Sequence, residues 1–91
     1  MEFLAKGNTL LIQEAYTEAL AAFDSAIAEQ ADLYDAHLHR AIALLRLHQP
    51  SEAASAASEA IRLGSDNYQG YLRRGQAAFA QQKWTTALPD F

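Results

Sequence analysis

Apolar residues fall three and four apart along most of the chain, the spacing that gathers them on one face of a helix. Phe3, Gly7, Leu10 and Leu11 make the first such stripe, then Ala19, Leu20, Phe23, Ala26 and Ile27, then His37, Ala41, Leu44 and Leu45. With the breaks between stripes, the pattern predicts six helices: about 2–13, 16–30, 33–47 and 51–63, a fifth from 66 or 67 to 81, and a sixth starting near Trp84. Pro50 marks the first turn of the fourth, where a missing amide hydrogen costs nothing. Gly64 is expected to close that helix in the left-handed cap conformation.

The stripes also repeat. Gly7 is followed 34 positions later by Ala41 and then by Gly75, Ala19 by Ala53 and Ala87, Ile27 by Ile61, and Phe3 by the rings of His37 and Tyr71. A basic column (Lys6, Arg40, Arg74) keeps the same period, although core packing does not obviously demand a cation there. Such a period predicts stacked helix pairs whose joint surface is the functional part. Glycine inside a helix costs about 1 kcal/mol relative to alanine, so Gly7 and Gly75 are expected to sit where paired helices approach closely. Ser51, Ser55 and Ser58 among alanines are expected to serve the same close approach in the fourth helix, with phosphorylation or a linker as the other reading.

Composition narrows the function classes. The 91 residues, 51% of them hydrophobic, suffice for one domain. Eleven acids against seven bases give a net charge of -4, which argues against nucleic acid. The charge is uneven, with seven acids against Lys6 alone in residues 1–35 and six bases against four acids in 36–91. No apolar run approaches the roughly 20 residues that span a bilayer, and the N-terminus does not resemble a secretion signal, so a soluble, cytoplasmic or nuclear protein is expected. Zero cysteines exclude disulfides and thiolate metal sites. His37 and His39 diverge by about 200° on a helix and His48 lies about 14–17 Å further along, so a shared metal is not expected. The acidic pairs Glu14/Glu18 and Asp32/Asp35 stand near helix ends, where first-turn acids suit the helix dipole. No phosphate loop or nucleophile signature occurs, and neither a catalytic residue nor a cofactor is expected.

The joint recurrence of Phe3, Gly7, Leu10, Tyr16, Ala19, Phe23 and Ala26, then His37, Ala41, Leu44, Pro50, Ala53, Ala57 and Ala60, then Tyr71, Gly75, Ala78, Trp84, Ala87 and Phe91 resembles the tetratricopeptide repeat over the whole chain. Ala57 departs from the pattern where an aromatic is usual, and Pro89 interrupts the sixth helix. The resemblance implies an all-α right-handed superhelix of one domain, with two full repeats (about 1–33 and 34–67) and a partial third (68–91). It further implies a non-catalytic adaptor that holds a protein or peptide in a concave groove.

Lys6-Gly7-Asn8 and the run Tyr71 to Gly75 resemble co-chaperone modules, and the run from Tyr71 through Trp84 to Ala87 is also similar to the N-terminal repeat domain of the co-chaperones that link heat-shock chaperones to SCF ubiquitin ligases. This implies a heat-shock chaperone or a ubiquitin-ligase subunit as partner. Many such modules grip a chaperone's C-terminal carboxylate with five polar side chains. Carried over, those positions read Leu4, Asn8, His39, Gln69 and Arg73, with both expected lysines missing. By the same analogy the groove is lined by Leu4, Asn8, Leu11, Ile12, Asp35, Leu38, His39, Ile42, Leu45, Arg46, Gln69, Leu72, Arg73, Gln76 and Phe79. Partner contacts are expected at Asn8, Leu38, His39, Ile42, Arg46, Gln69, Leu72 and Arg73. Two other classes stay open: a scaffold module whose apolar groove packs on another part of its own protein, and part of an enzyme. The third repeat stops early, so the 91 residues are expected to be a fragment that leaves Ala78, Phe79 and Leu88 partly open and that alone is marginally stable or self-associates there.

Overall fold

A computed structural model describes residues 2–64 and 66–87, with side chains as far as Gln81. Five helices follow one another: α1 Glu2–Ile12, α2 Tyr16–Glu29, α3 Tyr34–Arg46, α4 Pro50–Leu63 and α5 Tyr68–Ala87. The arrangement is an all-α helical repeat. Each helix packs on the one before and the one after it, and the odd-numbered helices also touch each other (α1 on α3, α3 on α5). Odd helices that meet while even ones do not must lie on the tighter, concave side of the stack.

Alanine dominates the buried layer, with Ala19, Ala26, Ala36, Ala41, Ala43, Ala53, Ala57 and Ala60 all at 3% exposure or less; among the described residues only Phe23 and Leu44 are large and fully enclosed. Alanine is the best helix former and its small side chain lets helices close up, so one residue type serves local and tertiary structure together. In the first unit a large ring is matched with a glycine: a Cβ at Gly7 would fall within 3 Å of Phe23. In the second, Ala41 and Ala57 share the same columns and both are fully buried. Gly75 differs from this expectation, since a Cβ there would meet nothing within 4 Å; the ring column that should face it falls on Phe91, outside the described residues.

The turns inside the first two units are the same turn. The Ala15 amide donates to the Leu10 carbonyl at 2.9 Å and Glu14 to Leu11 at 3.0 Å, while one repeat on Gln49 donates to Leu44 at 2.9 Å and His48 to Leu45 at 3.1 Å. Glu14 (φ 62°) and His48 (φ 60°) occupy the left-handed position that this pairing demands. Neither is glycine, which is why the residue types alone did not mark them. Gly64, expected in that role, has φ -150°, matching the φ -147° of Gln30 one repeat earlier. Its smallness answers a neighbour instead, for a Cβ would lie 2.9 Å from Tyr34 Cδ1.

The expected break between a fifth and a sixth helix does not occur, and α5 continues through Ala87. Position 82 corresponds to Glu14 and His48, and a left-handed residue there costs about 1–2 kcal/mol unless a following helix docks and offsets it. Gln81, Gln82 and Lys83 all favour helix, and no glycine or proline interrupts them. The other Trp84, Ala87, Leu88, Pro89 and Phe91 expectations concern side chains or residues outside those described. Ala78 and Phe79 are exposed, Phe79 at 67%.

Candidate functional site

The concave wall takes its side chains from α1, α3 and α5. From α1 come half-buried Leu4, Asn8 and Leu11, with Ile12 83% exposed at the helix end. From α3 come half-buried His39, Ile42 and Leu45 and exposed Asp35 and Arg46. Leu38 keeps only 6% exposure, so it belongs to the floor and offers a ligand little surface. From α5 come half-buried Gln69 and Arg73, exposed Gln76, and the open apolar groups Leu72 (43%) and Phe79.

Three polar atoms on this wall are fully buried and have no hydrogen-bond partner: Asn8 Oδ1, His39 Nδ1 and Arg73 Nε, one from each odd helix. An unmet buried polar atom costs about 1–3 kcal/mol; Tyr34 Oη, at the start of α3, is a fourth. Arg73 is held in place by its Nη1, which donates to Gln76 Oε1 at 3.1 Å. The Gln69 side chain donates to the Tyr68 hydroxyl at 3.0 Å.

His39 is tilted against the Phe23 ring, with centroids 5.9 Å apart. Burial pushes its pKa below the ordinary value of 6.5, Arg73 adds to that, and Asp35 opposes it. The imidazole is thus held neutral at the centre of the wall, where it offers both a donor and an acceptor. His37, in the ring column, turns the other way and places Nε2 2.8 Å from the Ala31 carbonyl, anchoring the loop before α3. Among the described residues no group of three or more His, Cys, Asp or Glu side chains could hold a metal ion, and no helix is long and apolar enough to cross a membrane.

A second concavity lies between α1 and α2, facing away from the wall. It is a cleft of about 270 Å³ lined by Phe3, Lys6 and Leu10 of α1 and by Glu18, Ala21, Ala22 and Ser25 of α2. Helical spacing puts Lys6 about 150° around α1 from the midpoint of Leu4 and Leu11. Lys6 opens the repeating basic column. The structure explains that column in part: Arg40 Nε reaches back to Asp24 Oδ1 of α2 at 2.7 Å, and Arg74 lies 5.5 Å over the Tyr71 ring.

Comparison with known proteins bears on the wall as a whole. The tetratricopeptide repeat family model matches residues 38–91. A DnaJ homolog subfamily C member 7 homolog of Schizosaccharomyces pombe is 32% identical over 89 residues, covering 93% of this chain and 19% of its own length. The solution structure of the first tetratricopeptide repeat domain of the human RPAP3 protein superposes with a TM-score of 0.83 at 31% identity, covering 89% of this chain and 64% of that domain's chain. The chain thus spans about a fifth of the curated relative it matches.

Proposed function

The chain belongs to the tetratricopeptide repeat family, and from that premise we propose that it is a non-catalytic adaptor of the co-chaperone type, gripping a partner peptide in the groove of α1, α3 and α5. The observation that carries this reading is the alignment of unpartnered Asn8 Oδ1, His39 Nδ1 and Arg73 Nε beside the open apolar surfaces of Ile12, Leu72 and Phe79. Polar atoms of this kind suit a peptide backbone with an acidic group for Arg73, and the apolar ones suit its alternate side chains. Likeness to a DnaJ homolog supports the co-chaperone setting, in the cytoplasm or nucleus, with a heat-shock chaperone or a ubiquitin-ligase subunit as the partner.

The groove is not a copy of the five-residue carboxylate grip. Leu4 and Gln69, both uncharged, stand where two ammonium groups would neutralise a terminal carboxylate. Charge-assisted contacts contribute about 1.5–3 kcal/mol each, so losing two weakens an acidic C-terminal chaperone peptide about a hundredfold or more. Calorimetry is expected to show binding no tighter than about 100 μM, and low-micromolar affinity would contradict it.

Affinity capture tests the reading itself. Arg73→Glu and Leu72→Glu change side chains on the groove, whereas Arg62→Glu changes an exposed one on α4 that is paired only with Glu59 on its own helix. Partners held by the wild type are expected to be lost with both groove variants and kept by Arg62→Glu. Retention by all three, or loss with Arg62→Glu alone, would move the site elsewhere.

A further inference from the structure

His39 and Arg73 occupy one column of the repeat, on α3 and α5, and those two helices touch. Arg73 donates to Gln76 through Nη1 at 3.1 Å and, among the described residues, forms no ion pair. His39 has its ring backed by Phe23 and leaves Nδ1 without a partner. The groups around His39 are few. On the wall α1 brings uncharged Asn8, α2 presents the Phe23 ring with Asp24 turned to Arg40, and α4 packs on α3 through alanines. The charges that act on the imidazole are Asp35, one turn earlier on α3, and Arg73 from α5.

Resting on the reading of the groove as a peptide site, we propose that a carboxylate side chain of the bound peptide seats between Arg73 and His39, and that His39 takes up a proton as it does so. In the protein alone, burial and the Arg73 cation both keep the imidazole neutral, against Asp35. A carboxylate on Arg73 reverses the second influence, because it offsets the cation's field and sets an anion beside the ring. Protonated, His39 donates from both ring nitrogens, and Nδ1 gains a carboxylate oxygen as its acceptor. A backbone carbonyl or a glutamine amide in the same place carries no charge and draws no proton. The sign of the linkage follows: the complex holds more protons than the separate molecules, so binding strengthens as the pH falls toward the imidazole range.

Two peptides of leucine and alanine, blocked at both ends, test this: one has a single central glutamate, the other a glutamine in its place. Each is titrated into the isotope-labelled 91-residue protein by NMR. The glutamate peptide is expected to bind about three- to tenfold more tightly at about pH 6 than at about pH 7.5, and to move the titration of the His39 ring resonances to higher pH. The glutamine peptide is expected to do neither. His39→Gln is expected to lose the gain, and His48→Gln, exposed in the turn before α4, to keep it. Circular dichroism at both pH values shows which variants are folded, and the ring titration of the wild type decides the matter even where His39→Gln fails to fold. Amide shifts at Leu72 and Arg73 with equal affinity at both pH values would overturn the proposal and leave the peptide groove standing. A gain shared by the glutamine peptide, or kept by His39→Gln, would overturn it too. Shifts absent from the groove with both peptides would overturn the groove reading along with it.

Discussion

Gly7 and the Phe23 ring claim one volume: a Cβ built on Gly7 would stand 2.5 Å from Phe23 Cε1 and 2.7 Å from Cδ1, well inside van der Waals contact. The second unit resolves the same contact by dividing the bulk evenly between Ala41 and Ala57.

Alanine at positions 7 and 75 should therefore act with opposite signs. Gly7→Ala forces the fully buried Phe23 to shift and is expected to cost about 1–3 kcal/mol. Gly75→Ala enters open space within a helix and is expected to stabilise by about 0.5–1 kcal/mol, from propensity alone. Urea midpoints of the two variants decide the matter, and destabilisation by Gly75→Ala would reveal a ring seated there in solution.

Ala57 has no exposure and lies in one cluster with Ala41, Leu44, Ala53, Ala56 and Ala77. Restoring the aromatic of the first unit, Ala57→Phe, overpacks this layer and is expected to lower stability by about 1–3 kcal/mol. The paired change Ala41→Gly with Ala57→Phe rebuilds the Gly7–Phe23 geometry and should recover part of the loss. A raised melting temperature for Ala57→Phe alone would contradict the close packing of α3 on α4.

Glu14 and His48 hold left-handed conformations that cost an L-residue about 1–2 kcal/mol, partly recovered by glycine after its greater freedom in the unfolded chain. Glu14→Gly and His48→Gly are each expected to raise stability by about 0.5–1 kcal/mol and to combine additively, since they lie in separate turns. Chemical denaturation of the two single variants and the double one checks both statements.

The depressed pKa of His39 gives stability a pH dependence of definite sign. The folded imidazole stays neutral where the unfolded one, near 6.5, has begun to take up a proton, so the unfolded state binds more protons and stability falls as pH drops below about 6.5. His39→Gln should flatten that slope. Asp35→Asn should steepen it, because Asp35 is the group that supports the protonated form. Melting curves between about pH 7.5 and 5 measure the difference, and an unchanged slope in His39→Gln would assign it to other groups.

The period of the sequence reveals the paired helices of the first two units and the small-residue columns that pack between them, because packing imposes those residue types directly. It conceals the turns at Glu14 and His48, where backbone hydrogen bonds demand a conformation for which the chain supplies no glycine. Gly64 was misread for the converse reason: its smallness serves the Tyr34 ring, and its φ suits any residue. The break expected after Gln81 required a docking helix to offset a strained turn, and local propensity carried α5 straight on. Asn8, His39 and Arg73, which the family resemblance proposes as partner contacts, each bury an unpartnered polar atom, whereas the enclosure of Leu38 depends on how α3 leans into its neighbours.

The pairing of each helix with the next, and of odd helices with the next odd one, has a consequence for how the chain folds. Every tertiary contact joins segments close in sequence, so no long loop must close before contacts form, which favours rapid folding. Any helix pair can act as the nucleus, and growth proceeds outward from it one helix at a time. Among the described helices, α3 and α4 have packed neighbours on both sides. A peptide laid along α1, α3 and α5 would bridge successive units directly, and so would brace the stack against opening one pair at a time.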